Sequence, residues 1–192
     1  MARKPRPTEL KIPLPSRRAL APDLQKYFAR CEEKLGFVPN VLAAYSFSED
    51  KLRAFIGVYN ELMLADSGLS KLEREMVAVV VSSANRCHYC LTAHGAAVRV
   101  LSGDPALGEA LVMNWRSANL TPRQRAMLEF AHRLTVEPEA AGETERAALR
   151  RAGLAERDIW DLASVASFFN YTNRLATAVG MRPNDEYVSQ GR

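Results

Sequence analysis

Apolar residues recur along this chain at intervals of three and four. That spacing places them on one face of successive α-helices. In Ala21–Gly36 the stripe is Leu24, Phe28, Cys31 and Leu35, and Gly36 reads as a helix stop. In Phe47–Ala65 it is Leu52, Phe55, Ile56, Tyr59, Leu62 and Met63. Ser70 and Glu73 have the spacing of a capping box, and the segment that follows, Met76–Val81, is apolar all round, which predicts a central helix. Asn85 and Arg86 read as a break, with a new helix from near Cys87 to about Leu101. A turn and a short helix follow in SGDPALGEALVM, another helix starts at Thr121 with Pro122 in its first turn and Gln124 three residues on, a second capping-box spacing, and one more lies around TERAALRRAG. Leu154–Gly180 predicts one long helix or two collinear ones. No stretch alternates with period two, so the expected fold class is an all-α helical bundle.

The two longest apolar helices resemble each other. Shifted by 85 residues, GLSKLEREMVAVVVSSANRCHYCLTAH lies on GLAERDIWDLASVASFFNYTNRLATAV without a gap. Identical pairs include Gly68/Gly153, Leu69/Leu154, Ser82/Ser167, Asn85/Asn170 and Thr92/Thr177. Chance alignment of alanine-rich helices is the alternative; the paired Gly-Leu starts and paired asparagines favour a duplicated helical hairpin. Only the first copy carries chemistry, because Thr172 and Leu175 stand where it has Cys87 and Cys90.

The flanks differ from this body. Pro5, Pro7, Pro13 and Pro15 make residues 1–20 an extended arm, residues 21–181 form the helical domain, and 182–192 read as a loose tail. At 192 residues and 47% hydrophobic composition the chain can bury a sizeable core. Its net charge of +4 is small and lacks an interleaved basic and aromatic platform, which argues against a nucleic-acid partner. No apolar run approaches the length that spans a bilayer, and no secretory signal is evident, so the expectation is a cytoplasmic protein without a membrane partner. With 3 cysteines, a structural disulfide framework is not expected.

Chemistry concentrates in Glu75–His94. Cys87 and Cys90 form C-x-x-C, His94 follows Cys90 by one helical turn, and Glu75 stands twelve residues before Cys87 across the break. A thiol at its ordinary pKa is a poor nucleophile near neutrality; a helix N-terminus or an imidazole within reach favours the thiolate. A carboxylate orients the imidazole or passes protons, and a second thiol traps a sulfenic acid as a disulfide. Such a set suits peroxide reduction or dithiol–disulfide exchange. Position at the helix start favours Cys87 as the attacking sulfur, and spacing to His94 favours Cys90. A zinc site would take Cys87, Cys90, His94 and either His88 or Glu75, but the second knuckle that structural zinc prefers is missing. No metal and no cofactor is expected, since nothing resembles a phosphate-cradling glycine loop. The remaining candidates read more plainly. Cys31 is a core residue, His88 is exposed or at the mouth of the site, and Tyr89 fills the pocket or offers a hydroxyl near the thiols. His132 faces solvent, Trp160 and Phe168–Phe169 belong to core or subunit interface, and Asn170 and Asn173 are capping or interface hydrogen bonders.

The pattern E-x11-C-x-x-C-x-x-x-H, Glu75, Cys87, Cys90 and His94, resembles the alkylhydroperoxidase D-like branch of the carboxymuconolactone decarboxylase superfamily. LTPRQRAMLEFAHRLT and SFFNYTNRLATAVG resemble downstream segments of its peroxidase-related members, so the resemblance runs from about Phe37 to Met181. It implies an all-helical homo-oligomer (a trimer or hexamer), hydroperoxide reduction, and a dithiol or lipoyl-protein electron donor. It also implies roles: Cys90 peroxidatic, Cys87 resolving, His94 and Glu75 relaying protons. The sequence departs from the family in one place, with Tyr89 where a histidine precedes the second cysteine and His88 one position earlier. The superfamily's lactone-decarboxylating branch lacks this cysteine pair. The competing reading of the same pair is a non-catalytic redox-sensing or oligomeric binding protein.

Overall fold

The computed structural model describes residues 6–192, so the first five residues of the expected arm lie outside it. The described residues contain no strand. The helices are α1 (Pro22–Leu35), α2 (Asn40–Tyr45), α3 (Glu49–Tyr59), α4 (Lys71–Ala84), α5 (His88–Ser102), α6 (Pro105–Asn114), α7 (Pro122–Val136), α8 (Glu143–Arg151), α9 (Glu156–Ala178) and α10 (Glu186–Ser189). A π-helical turn, Asn60–Leu64, extends α3.

α4 is the axis of the bundle and packs against α5, α6, α7 and α9. Its start is fixed by the expected capping box: the Glu73 amide donates to Ser70 Oγ at 3.2 Å, and the Ser70 amide donates to Glu73 Oε2 at 2.8 Å. Val77, Ala78, Val79, Val80 and Val81 are all 0% exposed. At about 1.5–3 kcal/mol for each fully buried valine side chain, the burial of this helix is a principal apolar support of the fold. Arg74, also buried, donates from Nη1 to the Leu62 and Ala65 carbonyls and so satisfies the end of the π-helical turn. α7 opens with the second expected box, Thr121 with Gln124.

The second copy of the repeat departs from a hairpin. α4 and α9 begin at equivalent positions, and the Ala155 amide donates to Asp158 as the Ser70 amide does to Glu73. The first copy turns at Arg86, whose φ of 54° stops the helix, and Cys87 then takes an extended conformation. In the second copy Asn170, Tyr171 and Thr172 stay helical, and α9 runs unbroken to Ala178. The paired asparagines are therefore not paired breaks; Asn85 Nδ2 donates to Asn170 Oδ1 at 3.0 Å, joining the two copies.

Residues 182–192 are docked rather than loose. Asn184 accepts from the Asn40 amide at 2.7 Å and donates to the Val38 carbonyl at 3.1 Å. Buried Arg99 donates to the Tyr187 and Gln190 carbonyls, both at 2.9 Å, and the Tyr187 ring meets Phe37 edge-on at 4.9 Å. At the start of this segment the Arg182 amide donates to the Pro7 carbonyl, and just before it the Val179 carbonyl accepts from the Glu9 amide. Leu35, expected on the buried stripe of α1, is exposed because Gly36 turns the chain away at φ 86°.

Candidate functional site

The α4–α5 hairpin assembles the site by register. The Cys87 amide donates to the Ser82 carbonyl at 3.0 Å, closing the turn. Glu75 lies seven residues before Ser82, and His94 lies seven residues after Cys87. At 1.5 Å of rise per residue both stand about 10 Å from the turn on adjoining helices. His94 Nδ1 and Glu75 Oε2 meet at 2.6 Å, with the two side chains 13% and 10% exposed. Such a pair fixes the orientation of the imidazole and leaves its other nitrogen free for proton transfer. The His94 ring abuts Phe169 edge-on at 4.6 Å.

Cys87 is the N-cap residue of α5 and Cys90 stands at its third position. Both are free thiols, 1% and 3% exposed, packed with Tyr89, Ala176 and Met181. They are close enough to share a hydrogen bond, and that bond divides their acidities. Donation from Cys90 brings the Cys87 pKa down to about 6 against the opposing effect of burial. Cys87 Sγ makes no full N-cap hydrogen bond, but the Cys90 amide, the Thr177 hydroxyl and the His94 charge act in the same direction. Cys90 is pushed well up, first by the hydrogen bond it gives to Cys87, then by burial and the neighbouring thiolate; Asn173 and Ser82 hydrogen-bond its sulfur and oppose this. The resting charge therefore sits on Cys87. The greater acidity of Cys87 agrees with its place at the helix start.

This division has a measurable consequence. Iodoacetamide should modify Cys87 at a rate that is already on its plateau at pH 7 and falls about tenfold per pH unit below about 6, whereas a free thiol titrates near 8.5. Peptide mapping across pH 4–9 gives the midpoint. A midpoint near 8.5 would overturn the assignment of the charge.

Other expected residues lie elsewhere. The Tyr89 hydroxyl accepts from the Val41 amide at 3.1 Å and so ties α5 to α2. His88 is exposed. His132 is half-buried instead of solvent-facing, because the segment between α6 and α7 lays Trp115 on it at 5.9 Å between ring centres; burial and nearby Arg116 lower its pKa. Phe168 and Phe169 are core, but Trp160 is 75% exposed on the outer face of α9. Cys31 is half-buried against the cluster of α1, α2 and α3. Asn173 is no surface cap: it is 1% exposed, accepts from Asn85 Nδ2 and donates to Ser82 Oγ at 2.9 Å. Sequence reasoning missed Ser82 and Thr177 as neighbours of the thiols. The signal available was the 85-residue shift, which aligns Asn85 with Asn170 and Thr92 with Thr177.

Among the described residues no cluster of His, Cys, Asp and Glu could hold a metal ion, and no helix is long and apolar enough to cross a membrane.

The carboxymuconolactone decarboxylase family model matches residues 49–133. A solved uncharacterized peroxidase-related protein from Silicibacter sp. TM1040 is 57% identical, with 100% of each chain covered and a TM-score of 0.94. An uncharacterized peroxidase-related protein from Ralstonia eutropha JMP134, described as an alkylhydroperoxidase AhpD core, is 41% identical over 94% of this chain and 95% of that one, with a TM-score of 0.90. The uncharacterized protein YdfG of Bacillus subtilis (strain 168) is 25% identical over 117 residues, 60% of this chain and 79% of that one. With more than half its residues shared with one peroxidase-related protein along the whole length, and the family model lying across α3 to α7, the chain belongs to the alkylhydroperoxidase D-like and carboxymuconolactone decarboxylase superfamily.

Proposed function

We propose that the protein is a thiol-dependent peroxidase that reduces hydroperoxides through a Cys87–Cys90 dithiol. The observation that carries this reading is the 2.6 Å contact of His94 with Glu75 on the same hairpin as a hydrogen-bonded cysteine pair of unequal acidity. The peroxidase-related and alkylhydroperoxidase names of the relatives agree with it.

In the proposed cycle the Cys87 thiolate attacks the outer peroxide oxygen. The O–O bond breaks, Cys87 becomes a sulfenic acid, and the alkoxide leaves as an alcohol with a proton from the His94–Glu75 pair. The Cys90 thiol then displaces water from the sulfenic acid, forming the Cys87–Cys90 disulfide. An external dithiol, as a small molecule or a lipoyl group on a protein, returns two electrons and two protons. The resemblance gives the first attack to Cys90 instead, which requires Cys90 to pass its proton to Cys87 beforehand. A homo-oligomer in the cytoplasm completes the proposal; exposed Trp160 and Tyr171 on α9 supply apolar surface for self-association, and a reducing compartment keeps the pair ready.

The burial of both sulfurs favours a second reading, a sensor oxidised slowly and once. Peroxide consumption with dithiothreitol as reductant separates the two. Continuous turnover is the expected result. Consumption of a single equivalent per chain would make the protein a sensor, and absence of any Cys87–Cys90 disulfide after oxidation would remove both readings.

A further inference from the structure

A chain of buried side chains runs between α9 and the end of α4 that turns into the cysteine pair. Asn85 Nδ2 donates to Asn173 Oδ1 at 3.0 Å, and Asn173 Nδ2 donates to Ser82 Oγ at 2.9 Å. Asn173 is 1% and Ser82 0% exposed. Each bond orients the next. With its oxygen held by Asn85, the Asn173 amide presents its NH2 toward Ser82 and Cys90; with its oxygen taken by Asn173, Ser82 has its hydroxyl proton to give. The Ser82 carbonyl also anchors the Cys87 amide, so the same residue sets the position of both sulfurs. Asn85 is itself braced on Asn170, which Arg174 and Thr135 hold in place.

We propose that Asn173 and Ser82 form a thiolate-binding pair for Cys90, so that a donor thiol attacks the Cys87 sulfur of the oxidised protein and Cys90 departs as the stabilised thiolate. The inference deepens the dithiol reading above and rests on it. In the first step the donor thiolate forms a bond to Cys87 Sγ, the Cys87–Cys90 bond breaks, and the electron pair stays on Cys90. In the second, the donor's other thiol, as its thiolate, attacks the donor sulfur of this mixed disulfide and Cys87 leaves. The donor is oxidised to its disulfide by two electrons, and its remaining proton reaches Cys90. The acidities suit both steps. In the resting dithiol Cys90 is raised chiefly by its bond to Cys87, a bond that is gone once Cys87 carries the donor, while Asn173 and Ser82 continue to pull the other way. Cys87, which keeps the Cys90 amide and the Thr177 hydroxyl beside its sulfur, leaves in the second step.

The test oxidises the protein with diamide, adds glutathione as a single-thiol probe, quenches with acid and maps the adduct by mass spectrometry. Glutathione should be found on Cys87, with Cys90 free. Ser82→Ala, which keeps the volume of a buried small residue, and Asn173→Ala should each slow reduction by dithiothreitol roughly tenfold, the scale of one hydrogen bond to a charged atom. The slowing should come with an upward shift of the pH at which Cys90 ionises in the glutathione-blocked protein. A merely structural role would lower stability without moving that midpoint. Glutathione on Cys90, or an unshifted midpoint and unchanged rate in folded Ser82→Ala, overturns the proposal. If diamide yields no disulfide, the dithiol reading itself falls and takes the pair with it. If the adduct forms on Cys87 in a protein that turns over no peroxide, the thiolate-binding pair stands and only the peroxidase reading fails.

Discussion

Cys87→Ser is expected to abolish peroxide turnover, by roughly 10³-fold or more, the scale on which loss of a nucleophile acts. Cys90→Ser should do the same in steady state and yet behave differently in a single turnover. The reason lies in the shared hydrogen bond: one sulfur carries the charge because the other carries the proton. Without Cys90, Cys87 loses its strongest stabilising donor but keeps the Cys90-position amide, the Thr177 hydroxyl and the His94 charge. It should still react with one equivalent of peroxide and then stop, a sulfenic acid with no thiol to resolve it. Dimedone should label Cys87 in Cys90→Ser, and little or nothing in Cys87→Ser, where no thiolate stands at the helix start and Cys90 is only 3% exposed. The reverse pattern, dimedone on Cys90 in Cys87→Ser, would return the peroxidatic role to Cys90 as the family resemblance implies. Turnover surviving in either variant would end the dithiol mechanism.

What the sequence revealed of this site was local, and what it concealed was long-range. The capping boxes at Ser70 and Thr121, the buried run of α4 and the stop at Arg86 all follow from neighbours within four residues, and each is present. The placing of Glu75 before the break and His94 after it was also legible, and the turn brings them into contact. The docking of residues 182–192 was not: Asn184 and Arg99 act on carbonyls and amides far along the chain, and hydrogen bonds to backbone leave no periodic trace. The same holds for Tyr89, whose hydroxyl reaches past the thiols to Val41. The asparagines are the intermediate case. Their alignment at an 85-residue shift is visible in the sequence and reads as a repeated break, whereas the structure uses it as a contact between the two copies. A shared residue at a pseudo-equivalent position is as ready to meet its counterpart as to repeat its local role.

The buried acid and imidazole permit a separation of stability from chemistry. Glu75 and His94 satisfy one another in a place where neither side chain is more than 13% exposed. Removing one partner of such a pair leaves the other polar group buried without compensation, so His94→Leu should cost about 3–5 kcal/mol, read as a lower urea midpoint. Glu75→Leu should cost a comparable amount for the same reason. The double variant, Glu75→Leu with His94→Leu, leaves no orphan: two apolar side chains would meet beside Phe169 and the apolar face of α4. Its stability should return most of the way to that of the parent, giving a large coupling energy in the cycle. Peroxide turnover should not return, because general acid–base assistance of roughly 10²–10⁴ in rate would still be missing. A double variant that is both stable and active would mean that the pair holds the hairpin together and takes no part in moving protons. Additive losses of stability would mean instead that the 2.6 Å contact contributes nothing to the fold, and the register argument that places His94 against Glu75 would lose its energetic basis.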